Sequence, residues 1–184
     1  MGLFDNIGSP APQNVQQSSG NKTVDVVFTK LPDNFAEFTA LPQAAMDDPF
    51  KTAALTVLAL CFYPQDKDTC IQMLNFLKGP QPLSTYEQQF LADRFRDADY
   101  VPRSYFVGAV PANDYKPAQP YTVKVSENPY SYQDSGYAKL YLRSGGADSP
   151  RPIQLRLAKD GKWYLWEQFL LAGIRSPEST NPWA

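Results

Sequence analysis

The chain contains no histidine and only two cysteines, Cys61 and Cys70. Without an imidazole, serine and cysteine nucleophiles that depend on histidine are excluded, as are histidine-ligated metal centres. Two thiols alone cannot complete a tetrahedral structural zinc site, so no metal and no other cofactor is expected. Cys61 ends one helical segment and Cys70 opens the next. Both read as reduced, buried, small apolar residues suited to a reducing compartment.

Long apolar runs are missing as well. The longest, Ala53 to Phe62, is interrupted by Thr56 and falls well short of the ~20 residues needed to cross a bilayer. The opening MGLFDNIGSP offers no basic leader followed by an apolar segment, and Asn6 stands where a myristoylation motif needs Ser or Thr. No membrane partner is expected, and the reading is a cytoplasmic protein. There is no basic excess either: the net charge is -2 and the pI about 5.1, which argues against a nucleic-acid partner. What is present is globular, with 43% hydrophobic and 20% charged residues over 184 positions, enough for one domain with a sizeable core. Residues 1–22 are rich in Gly, Ser, Pro, Asn and Gln and read as a flexible tail. Residues 23–184 read as a single domain.

The chain is organised around Gly136 to Arg175. Ala138, Leu140 and Leu142 alternate with Tyr137, Lys139, Tyr141 and Arg143, and Ile153, Leu155 and Leu157 alternate with Gln154 and Arg156. Trp163 and Leu165 then alternate with Tyr164 and Trp166, giving three strands with one face each toward a core. Lys159-Asp160-Gly161 reads as a three-residue hairpin loop with Gly161 in the left-handed region. That loop sets Leu157 opposite Trp163 and Leu155 opposite Leu165, and all four are expected to face inward.

Helical signals precede these strands. Val24 to Phe28 is a short strand, and Asp33 is placed to cap a helical turn through Asn34 to Phe38. Asp48-Pro49-Phe50 starts a helix that is apolar on all sides until Pro64, so it should be central. A second helix begins near Asp66 or Asp68, burying Ile71, Leu74 and Leu77 and exposing Gln72 and Asn75. A third opens at Ser84-Thr85-Tyr86-Glu87, a capping box. Ser104 to Val110 and Tyr121 to Val125 are further strand candidates. Helices first and strands afterwards predict an α+β domain, with N-terminal helices packed on one face of a C-terminal antiparallel sheet.

The runs Asp48-Pro49-Phe50 with Thr52-Ala53-Ala54-Leu55, Asn75 to Pro80, Ser144 to Arg151, Trp163 to Glu167 and the terminal Pro182-Trp183-Ala184 resemble an uncharacterised bacterial family of unknown function. The resemblance covers residue 24 to the end and implies no reaction, ligand or catalytic residue. A fainter likeness, at the level of fold alone, is to the NTF2-like α+β cone.

Three sets of residues carry candidate chemistry. In the Ser144 to Arg151 loop, Gly145 and Gly146 free backbone N–H groups to converge on an anion while Asp148 and Arg151 supply charge. The same loop also reads as a plain hairpin connection with Arg151 in a structural ion pair. On the strands, Tyr141, Arg143, Arg156, Tyr164 and Trp166 share the face opposite the core, an aromatic and basic surface suited to a ligand or another protein. Finally, Glu167 and Asp93 are the carboxylates most open to acid–base use if buried, although a salt bridge within the fold explains them as well. No catalytic residue is assigned. The leading expectation is a non-catalytic binding or assembly module that works through the aromatic–basic face, with an unidentified protein or small-molecule partner. The alternative is a small-molecule-binding or enzymatic domain with a pocket between helices and curved sheet.

Overall fold

The computed structural model describes residues 21–183. The expected tail lies outside the described residues except for Asn21 and Lys22. Lys22 already belongs to the domain: its carbonyl accepts from the Glu127 N–H at 2.9 Å and its ammonium sits 5.2 Å from the centre of the Phe50 ring.

Helix α2, Pro49–Cys61, is the centre of the fold. The Asp48 carboxylate accepts from the Phe50 N–H at 2.7 Å and Pro49 takes the first helical position, where its missing N–H leaves nothing unsatisfied. Every residue from Thr52 to Leu60 is buried. The two threonines among them are satisfied locally, Thr52 Oγ1 donating to the Trp163 carbonyl at 2.7 Å and Thr56 Oγ1 to the Thr52 carbonyl at 2.9 Å.

A helix apolar on all sides must be covered on all sides. One cover is a five-stranded antiparallel sheet, β1 Thr23–Phe28, β2 Tyr121–Ser126, β3 Tyr137–Leu142, β4 Arg151–Leu157 and β5 Trp163–Gln168, whose strands lie side by side in sequence order. Its inner face includes Phe28, Val125, Leu140, Leu155 and Leu165, and α2 packs against all five strands. The other cover is helical. Helix α3, Lys67–Lys78, starts at an Asp66 cap and lies along α2, while α1, Phe35–Ala40, sets Phe35 and Phe38 edge-on against Phe76. Helix α4, Thr85–Phe95, begins with the capping box read from the sequence: Ser84 N–H donates to Glu87 Oε2 at 2.7 Å and Glu87 N–H to Ser84 Oγ at 3.1 Å. The α+β class, with helices in the N-terminal half and strands after them, is as the sequence predicts. No helix among the described residues is long and apolar enough to cross a membrane.

Several local expectations are corrected. Asn34, not Asp33, caps α1, its Oδ1 accepting from Glu37 N–H at 2.8 Å, while Asp33 pairs with Lys30. Asn75 is half-buried and accepts from the Leu83 N–H, and Cys70 and Met73 fill the core position expected of Ile71. Ser104 to Val110 is not a strand. Val101–Tyr105 forms a 3-10 turn, and only a single bridge joins Phe106 to Val123. Ser104, Tyr105 and Phe106 are buried in succession, which a strand with one inner face cannot do. The Ser104 hydroxyl bonds back to the Val101 carbonyl, and Tyr105 Oη donates to the Leu170 carbonyl.

The β4–β5 hairpin has the predicted register. Leu157 lies opposite Trp163 and Leu155 opposite Leu165, around a turn closed by Gly161 N–H to the Ala158 carbonyl, with Gly161 at φ 82°. Its tip, however, overhangs the core: Leu157 is 41% exposed and Trp163 is half-buried, meeting Tyr132 edge-on. Beyond Leu155 the register shifts at a bulge. The outer rim of β5 is covered, because Trp163 N–H donates to the Met46 carbonyl, Thr52 caps the Trp163 carbonyl and Lys78 Nζ reaches the Trp166 carbonyl at 3.2 Å.

Leu58→Ala should lose about 2–5 kcal/mol of stability in a urea melt, since no face of α2 is free to relax into the cavity. Tyr86→Ala, on exposed α4 surface, should change stability by no more than about 0.5 kcal/mol. Cys70 is buried as expected and Cys61 only partly so, and their surroundings push both free thiols up to about 12 by desolvation, with Cys61 adding to the shift at Cys70. Alkylation at neutral pH should therefore be negligible in the native protein and complete at both positions after denaturation, as read by intact mass.

Candidate functional site

The glycine loop is built for packing. A Cβ on Gly145 would overlap the Ala109 carbonyl and one on Gly146 would overlap Tyr115 Oη, so both positions admit only glycine. Their N–H groups are already used, Gly145 on the Ser104 carbonyl at 2.9 Å and Gly146 on Ser144 Oγ at 3.1 Å. Arg151 spreads its guanidinium over the carbonyls of Ser149, Ala172 and Gly173, and Asp148 pairs in the open with Arg175 at 3.0 Å. The glycine N–H groups and the Arg151 guanidinium therefore spend their hydrogen bonds within the chain.

The face of the sheet away from α2 has a different character. Arg156 is exposed, and its guanidinium lies 4.8 Å from the centre of the Trp166 ring and 5.5 Å from that of Tyr137, the two rings meeting edge-on at 5.7 Å. No carboxylate or carbonyl among the described residues accepts from it. The structure thus gathers Arg156 and Trp166 with Tyr137, and keeps Tyr164 beside them on the cleft they line, while Tyr141 and Arg143 go elsewhere. Tyr164 donates to Asp160 Oδ2 at 2.6 Å, a bond that raises the phenol and lowers the carboxyl. Gly79 packs flat on the Tyr164 ring, where a Cβ would overlap it. Tyr141 lies beside Lys139, Gln154 and the Asn128–Asp134 loop, and Arg143 lines a separate cleft with Lys124, Ser144 and Gly145. Arg156, Leu157, Asp160, Tyr164 and Trp166 line a cleft of about 530 Å³ against the Pro80-Gln81 turn.

Two groups escaped the sequence reading. Lys78, whose side chain is 8% exposed, donates to Glu87 Oε1 at 2.9 Å and to the Trp166 carbonyl, tying α3, α4 and the bulge of β5 together. Burial alone would raise the Glu87 pKa. The bonds from Lys78 and the Ser84 backbone outweigh it and hold the carboxyl below its ordinary value. The signal was there in the spacing, since Cys70, Leu74 and Lys78 fall at i, i+4 and i+8 on the buried face of α3. Glu127, 5% exposed, continues the inward alternation of Val123 and Val125 and accepts from Tyr132, whose phenol is pushed upward by burial first and by this carboxylate second. Glu167 and Asp93 are both exposed, the latter paired with Arg96.

The family described as Domain of unknown function (DUF6935) matches residues 30–178. The chain belongs to this family. The match takes in all four helices and strands β2 to β5, and so includes Arg156, Trp166, Lys78 and Glu87. No curated protein and no solved structure matches the chain.

A lowered folded-state pKa means that Glu87 contributes fully above the ordinary carboxylate value and loses its contribution as pH falls through the lowered one. Glu87→Gln should flatten the acid limb of stability below about pH 4.5. Glu87→Ala, which strands a buried ammonium, should lose about 1–3 kcal/mol at neutral pH. Urea melts of both variants across that pH range check the sign.

Proposed function

We propose that this chain is a non-catalytic recognition module that receives an anionic segment of a partner protein on the outer sheet face. The observation that carries the reading is Arg156: its guanidinium is stacked against Trp166 and Tyr137, and its donors have no acceptor within the described chain. Stacking fixes the plane of the fork, so a carboxylate meets a pre-oriented pair of N–H groups at reduced entropic cost. The adjoining cleft, with Trp166, Leu157 and Pro80 on its walls, offers apolar surface beside that charge, the mixture of anchors found at interface centres. Lys139, exposed on the same face, adds positive potential that steers an acidic partner. A cytoplasmic setting suits two free thiols.

Titration with short peptides that pair a Glu or Asp carboxylate with an adjacent apolar residue, followed by tryptophan fluorescence, tests the reading. Binding should weaken at least about tenfold in Arg156→Gln and in Trp166→Ala, and by less than about threefold in Lys139→Gln. Equal affinity of Arg156→Gln and the native chain for every such peptide would sink it.

A further inference from the structure

A second site lies on the other side of Lys78. Helix α4 is fixed at its two ends, at the first turn by Glu87 on Lys78 and at the last by Phe95 stacked on Tyr63 at 4.3 Å. Between these fixings only Leu91 is fully buried. Beneath it is a cavity of about 260 Å³ lined by Leu60, Leu74 and Leu165 below and by Leu91 of α4 itself, each no more than 3% exposed. Tyr86 and Phe169 stand at the mouth, 80% and 47% exposed. An apolar cavity of ~150 Å³ already admits benzene, so this one has room for a substituted ring.

The polar lining narrows the choice of occupant. An ammonium has three hydrogens, and Lys78 spends two of them, on Glu87 and on the Trp166 carbonyl. Glu87 has both oxygens occupied, one by Lys78 and the other by the Ser84 N–H. The pair is therefore neutral as a unit and has one donor to spare. Glu167 and Gln168 complete the polar lining, with the Glu167 carboxylate exposed to water. An anionic guest would lose hydration in this apolar setting with no positive charge left to meet it, whereas a single neutral acceptor finds a charge-assisted partner.

We propose that this cavity is a binding site for a compact, uncharged, ring-sized apolar molecule bearing one hydrogen-bond acceptor, which takes the remaining hydrogen of Lys78. The site shares Lys78 and Leu165 with the lining of the Arg156 cleft but lies on the α4 side of them, and it does not depend on the peptide reading.

Three probes of similar size test it: acetophenone, which is neutral with an acceptor; toluene, which has no acceptor; and benzoate, which is charged. Methyl resonances of Leu60, Leu74 and Leu91, which line this cavity and not the Arg156 cleft, report occupancy by NMR. Acetophenone should shift them saturably at millimolar concentration and bind roughly tenfold more tightly than toluene or benzoate. Lys78→Met should level acetophenone with toluene. Leu91→Trp, which fills the cavity and leaves the ion pair in place, should abolish binding of all three. Arg156→Gln should change none of these values, so the two sites stand or fall separately. Absence of a saturable shift with any probe, equal affinity for acetophenone and toluene in the native chain, or binding that survives Leu91→Trp would overturn the proposal.

Discussion

The burial of α2 on every side is the constraint from which the rest of the architecture follows. A helix with apolar residues around its whole circumference cannot lie at a surface, so the chain must provide a cover on two sides. The sheet supplies one, long enough for α2 to touch all five strands, and α1 and α3 supply the other. The threonine hydroxyl facing Trp163 binds the two layers by hydrogen bond as well as by packing. With most of its inner face committed to this helix, the sheet presents chiefly its outer face to anything outside the chain.

That division explains where chemistry is available. Polar groups on the core side and in the connecting loops are consumed internally: Arg151 by three carbonyls, the glycine N–H groups by Ser104 and Ser144, Tyr115 by the Arg175 carbonyl. Arg156 and Lys78 both keep donors to spare, and both lie near the bulge of β5. A bulge leaves one residue out of the pairing ladder and re-aims its neighbours. Here it turns the Trp166 carbonyl toward Lys78 while the indole ring remains beside Arg156.

Much of the fold was legible because its strongest signals are local. The capping boxes and caps at Asp48 and Ser84, the all-round apolar run of α2 and the three-residue turn at Gly161 each follow from nearby residues, and each is found. What was not legible depends on distant partners. Ser104 to Val110 has a strand's composition, yet Tyr105 is drawn toward Leu170, a residue 65 positions away. The outer face was read as one surface of alternating residues, and the structure divides it: Arg156, Tyr164 and Trp166 share one cleft, while Tyr141 and Arg143 line two others. Lys78 and Glu87 were each visible, one at a helix end and one in a capping box, but nothing in the spacing across the Pro80–Leu83 turn joins them.

The covered rim of β5 has a consequence for self-association. A sheet grows by adding strands at its edges, and one with two bare edges can propagate without limit. Here Met46, Thr52 and Lys78 occupy the β5 rim, which leaves β1 as the open edge, itself partly engaged where Gln43 bonds the Val27 carbonyl. Two copies joined edge to edge through β1 would each present only a β5 rim to the outside. Among the described residues, then, edge-to-edge growth of this sheet has β1 as its open side, and the contacts that secure β5 to the helices also withhold that strand from further pairing.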